Sequence, residues 1–93
     1  LTSLLLQHNA LTAVPDALWS LAGLRELNLS ANRLTILSPL VARLTVLEEL
    51  HLSDNLLTQL PPTLAQCTCL AVLDISNNQL AALPVALTQC RTL

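Results

Sequence analysis

A leucine returns at Leu1, Leu24, Leu47, Leu70 and Leu93, every 23 residues without a slip of register. A period of this length constrains a chain more than any local propensity does. One such unit cannot bury its own apolar face, so the units must stack on one another and share a continuous core. The four complete units are 1–23, 24–46, 47–69 and 70–92, and residue 93 opens a fifth. No linker, low-complexity tract or second domain interrupts residues 1–93.

Within each unit the first, fourth and sixth positions are aliphatic: Leu1, Leu4, Leu6; Leu24, Leu27, Leu29; Leu47, Leu50, Leu52; Leu70, Leu73, Ile75. The step from fourth to sixth is the strand period, which sends these side chains to one face and their neighbours to the other. Asn9, Asn32, Asn55 and Asn78 fall at the ninth position, where the chain must turn out of the strand. Asparagine carries a donor and an acceptor on a short arm, so a stacked column of them can satisfy the buried backbone of each turn.

The second half of each unit continues with Leu11, Leu34, Leu57 and Leu80, then Val14, Leu37, Leu60 and Leu83. Proline follows at Pro15, Pro61 and Pro84, which predicts a short helical or 3-10 turn from Asp16 to Leu21 and its equivalents. Leu18, Val41, Leu64 and Leu87, with Leu21, Leu44, Cys67 and Cys90, are its expected inner face. In the second unit Ser38 stands where proline is expected and Pro39 comes one residue late, so a locally different turn is expected there.

Composition agrees with a stacked array. Hydrophobic residues make up 53% of the chain while Trp19 is its single aromatic. Identical layers can be filled by one residue shape, whereas an irregular core needs aromatics for its gaps. The net charge is −2 and lysine is absent, which argues against nucleic acid and anionic membrane surfaces as partners. No apolar run approaches the roughly 18 residues that span a bilayer. With no methionine, and with both ends in mid-pattern, the chain reads as an excerpt of a longer array, its flanking repeats or caps lying outside it.

The unit LxxLxLxxNxLxxLPxxLxxLxx resembles the intracellular leucine-rich repeats of Ras-pathway scaffolds and of polarity proteins of the scribble and erbin kind. The resemblance covers the whole chain. It implies an α/β solenoid with a parallel β-ribbon on the concave face, short helical or 3-10 turns on the convex face, and four repeats without recognisable caps. It also implies a signalling scaffold, cytoplasmic and without a cofactor, whose repeats hold another protein instead of catalysing a reaction. A purely architectural spacer is the alternative.

The outward strand positions are where a partner would touch: Glu26, Asn28, Glu49, His51, Ser53, Asp54, Val72 and Asp74, with Ser3, Leu5, Gln7 and His8 in the first unit. Glu26, Glu48, Glu49, Asp54 and Asp74 lie on or beside this face against Arg25 and Arg33, so a basic or hydrogen-bonding protein is the expected partner. His51 and Asp74 share a position in adjacent units and are expected to form a surface ion pair. With Ser53 they imitate a catalytic set, but an open sheet offers neither a cleft nor an oxyanion site.

Cys67, Cys69 and Cys90 match no zinc spacing, and an odd count suits a reducing compartment; no metal is expected. Asn28-Leu29-Ser30 is formally a glycosylation sequon, generated by the repeat pattern itself. Trp19 replaces the Ala42, Ala65 and Thr88 of other units at an outward convex position, so it is either an exposed anchor or a cover for a preceding repeat. The ends of the stack should expose Leu4, Leu6, Leu73 and Ile75.

Overall fold

In the computed structural model residues 2–80 are described. The fourth convex turn, with Leu83, Pro84, Leu87 and Cys90, and the leucines Leu1 and Leu93 lie outside the described residues. Four three-residue strands, β1 (Ser3–Leu5), β2 (Glu26–Asn28), β3 (Glu49–His51) and β4 (Val72–Asp74), form a parallel sheet in sequence order. Each strand begins at the third position of its unit, and the register pairs Leu4 with Leu27, Leu27 with Leu50 and Leu50 with Leu73. The 23-residue period is therefore also the strand-to-strand register.

Between strands the chain returns through 3-10 turns at Asp16–Ser20, Pro39–Arg43 and Pro62–Gln66. Backbone N–H groups of Leu18, Val41 and Leu64 close them onto the carbonyls of Pro15, Ser38 and Pro61 at 3.0 to 3.1 Å. The second turn does not differ from the others, contrary to expectation. Ser38 has φ −62° and ψ 139°, close to Pro15 (−64°, 143°) and Pro61 (−69°, 138°), and its Oγ accepts from the Leu40 amide. A serine hydroxyl caps what a proline ring would otherwise preorganise.

Strands and turns close over one core. Leu24, Leu27, Leu29, Leu44, Leu47, Leu50, Leu52, Leu57 and Leu64 have no exposed surface, and Leu34, Leu37, Val41, Leu60, Cys67, Leu70 and Leu73 join them. Leu4, Leu6 and Ile75 are partly covered, as expected at the ends, but Leu73 is only 1% exposed. Its strand pairs with β3 and drives Leu73 into the same leucine column as Leu50, so that position is not an open end.

The asparagine column repeats the same bonds from unit to unit. Asn32 Oδ1 accepts from the amides of Asn9 and Leu11 at 3.0 and 2.9 Å, while its Nδ2 reaches the carbonyls of Leu6, Leu29 and Ser30. Asn55 accepts from Leu34 and donates to Leu29, Leu52 and Ser53; Asn78 accepts from Leu57 and donates to Leu52, Ile75 and Ser76. Asn32 and Asn55 are buried, so each bond replaces one that water would otherwise make. Removing such a side chain strands several buried groups, each at about 1–3 kcal/mol. Asn9, at the first rung, is exposed and bonds only within its own unit through its side chain.

Trp19 is fully buried, so neither expectation for it holds. It lines a cavity of about 200 Å³ with Val14, Ile36, Leu37 and Pro39, and so leans on the following unit instead of facing solvent or a preceding one. A large ring fits where Ala42 and Ala65 stand elsewhere because the first turn opens onto the groove beside Ile36. Its indole N–H has no acceptor among the described residues.

Candidate functional site

The parallel register sorts the outward side chains into columns. Ser3, Glu26, Glu49 and Val72 face outward in one row, and Leu5, Asn28, His51 and Asp74 in the next. Because alternate residues of a strand take opposite faces, the buried leucine between each pair fixes these two rows on the sheet's open side. Glu26, Asn28, Glu49, His51, Val72 and Asp74 are half-buried, and Leu5 is 55% exposed. The sheet thus brings together six of the eight residues named from sequence, while Ser53 and Asp54 lie just beyond β3.

Hydrogen bonds tie these columns across the units. Ser3 Oγ donates to Glu26 Oε1 at 3.1 Å, and Ser53 Oγ to Ser30 Oγ at 3.1 Å. Asn28 Oδ1 accepts from the Ser30 amide, and Asp74 Oδ1 accepts from both the amide and the hydroxyl of Ser76 at 3.1 and 2.8 Å. Short polar side chains bond readily to the backbone two residues on, and Asn28 and Asp74 do so here.

The expected His51–Asp74 ion pair is replaced by other partners. His51 Nε2 lies 3.4 Å from Glu49 Oε1, while the Asp74 carboxylate is turned to Ser76. The local bonds from the Ser76 hydroxyl and amide hold Asp74 below its ordinary value of 3.8, partly offset by desolvation; the His51 charge adds a smaller downward push. Ser53, His51 and Asp74 consequently aim at Ser30, Glu49 and Ser76, and not at one another.

Asp54 occupies a second kind of position. His8, Ala31, Asp54 and Asn77, all eighth in their units, have φ between 55° and 62°. This left-handed bend lets the eighth amide reach the next strand's seventh carbonyl: His8 to Ser30, Ala31 to Ser53, Asp54 to Ser76. Aspartate and asparagine tolerate that region better than most residues, so backbone geometry alone accounts for Asp54 and Asn77. Ala31 has no such tolerance, and its sequence carries no sign of the bend.

Sequence reasoning missed an apolar groove beside the convex turns. Ile36 is 65% exposed, and with Leu37, Pro39, Gln59, Leu60, Pro61 and Pro62 it lines a cavity of about 310 Å³. Ile36 takes the position that Ala13 and Gln59 hold in the neighbouring units, and no feature of the repeat pattern marks it. Among the cysteines, Cys67 is buried with its thiol donating to the Val41 carbonyl at 3.4 Å, and Cys69 is exposed. Among the described residues no helix is long and apolar enough to cross a membrane.

Comparison with known proteins agrees with this architecture. A family profile described as "Leucine rich repeat" matches residues 1–43, and one described as "Leucine Rich repeats (2 copies)" matches residues 45–87. No curated protein matches. Among solved structures, a leucine-rich-repeat protein from Leptospira interrogans is 33% identical and superposes over 100% of this chain with a TM-score of 0.95. The chain spans 24% of that protein's length. Leucine-rich-repeat domains generally mediate protein–protein interaction and are typically not enzymes. Two profiles spanning most of the chain, the in-register parallel ribbon and the asparagine column together place it in a single family: this chain is a leucine-rich-repeat protein.

Proposed function

We propose that the concave strand face holds another protein, and that the partner presents basic or hydrogen-bonding groups to it. The observation that carries this reading is the pair of in-register columns on the open side of the sheet. There Glu26, Asn28, Glu49, His51, Val72 and Asp74 stand half-buried and side by side, with Ser53 and Asp54 at the edge. Their carboxylates outnumber the nearby arginines, and Arg25 is already engaged with Glu48 at 3.8 Å. Complementary charge on a partner raises the rate of encounter and selects orientation more than it adds raw affinity.

The same surface offers no cluster of basic residues for nucleic acid or an anionic bilayer. A place in a cytoplasmic signalling scaffold belongs to the same proposal, supported by the odd cysteine count.

The test is capture of partners from lysate, and of basic peptides, by the parent protein carrying Glu26→Lys with Glu49→Lys. Reversal should weaken capture at low ionic strength, and added salt should weaken it for the unaltered protein as well. Capture indifferent to both changes would sink the electrostatic reading. A face that captures nothing in either form would leave the repeats as spacers.

A further inference from the structure

Glu26, Glu49 and His51 come from two adjacent units, and each offers one donor atom within 4.8 Å of the other two. We infer that these three side chains form a binding site for a divalent transition-metal ion of the zinc type, on the open face of the sheet. Zinc takes carboxylate oxygen and imidazole nitrogen at about 2.0–2.2 Å, which sets ligand atoms roughly 3.3–3.6 Å apart. His51 Nε2 and Glu49 Oε1 are already 3.4 Å apart. The Glu26 carboxylate completes the set by rotation about its own side-chain bonds, releasing the Ser3 hydroxyl that now donates to it.

The electrostatics favour a cation at this point. Glu26 and Glu49 are paired in register on neighbouring parallel strands, where like charges directly opposite one another are destabilising. Among the described residues the arginine ion pair is Arg25 with Glu48, at the rim, and the cationic group beside the facing carboxylates is His51 when protonated, 3.4 Å from Glu49. The protein partner of His51 is Glu49 itself, 3.4 Å away. Three facial ligands leave coordination positions open on the solvent side, where water or a donor from another molecule completes the shell.

The donor set also selects the metal. Calcium seeks six to eight oxygens and magnesium keeps an octahedron of oxygen and water, whereas an imidazole with two carboxylates suits zinc, manganese or iron. The repeat pattern carries little sign of the site, because Glu26 stands one strand away from Glu49 and His51 in space but 23 and 25 positions away in the chain, and Glu49 and His51 two residues apart match no zinc signature by themselves. It goes beyond the reading of this face as a partner surface and needs no partner to be tested.

The experiment is calorimetric titration of the full chain with zinc chloride, in a Cys69→Ser, Cys90→Ser background that removes competing thiols. The expected result is one zinc per chain. Loss of outer-shell partners alone weakens metal sites about 10- to 100-fold, so Glu49→Gln and His51→Ala should each weaken binding by about a hundredfold. His8→Ala should leave it unchanged, and magnesium should not compete. Far-UV circular dichroism checks that each variant folds, and Glu26→Gln supplies a third ligand change should one of them not. Absence of zinc binding, binding indifferent to the three ligand changes, or equal competition by magnesium overturns the inference.

Discussion

Single residues show how much of this protein is set by backbone geometry at fixed positions. Ala31 holds φ 55° at the left-handed bend that His8, Asp54 and Asn77 share, and a β-carbon there is held against its own carbonyl. Replacing Ala31 by glycine should therefore stabilise the protein by roughly 0.5–1 kcal/mol in urea unfolding, the relief of strain exceeding the added freedom of the unfolded chain. Asp74 illustrates a local charge effect. The Ser76 hydroxyl and amide hold its carboxyl below 3.8 in the folded state. A depressed carboxyl contributes stability that is fully present above the unfolded value and is lost as pH falls through the folded one. The loss should thus appear only below about pH 4. Ser76→Ala should move the Asp74 titration seen by NMR upward, and Asp74→Asn should remove this part of the acid sensitivity.

The turns and strands behave as interchangeable parts, and their exceptions are informative. Pro15 and Pro61 start two of the turns, while Ser38 starts the third with the same dihedrals and a hydroxyl bond to the Leu40 amide. Ser38→Ala should cost about 1 kcal/mol, the usual worth of a cap, and Ser38→Pro should recover it, because φ at Ser38 is already −62°. Thermal unfolding of the two variants against the parent checks both signs. Trp19 shows the reverse situation, a part that no other unit possesses. Its equivalents Ala42 and Ala65 are half-buried small side chains. An indole is long enough to fold over the groove onto Pro39 and Ile36, so its fate depended on the neighbouring unit.

Across the whole molecule stability comes from neighbours stacked in one dimension. Leu50 sits between Leu27 and Leu73 with no exposed surface, whereas Leu4 pairs with Leu27 alone and is partly exposed. Leu50→Ala should cost about 3–5 kcal/mol in urea unfolding and Leu4→Ala about half as much, since a cavity between two layers costs more than a defect at an end. Equal penalties would mean that the core is not organised in layers. At this scale the concave columns become a surface: residues far apart in sequence stand about one strand spacing from each other, which is what a partner or a metal ion would meet.

The sequence by itself determined the 23-residue layer, the parallel register, the leucine core from Leu24 to Leu73, the asparagine column and the placing of Glu26, Asn28, Glu49, His51, Val72 and Asp74 on the sheet's open side. Each of these follows from side-chain type at a fixed position in the repeat, where period and burial leave one arrangement. Tertiary structure alone decided that Trp19 is buried, that Ser38 caps its turn, that His51 turns to Glu49 while Asp74 turns to Ser76, and that Ile36 opens a groove. Those outcomes depend on which atoms of the next unit lie within reach of a rotatable side chain, and a repeat pattern specifies positions along the chain without specifying rotamers across it.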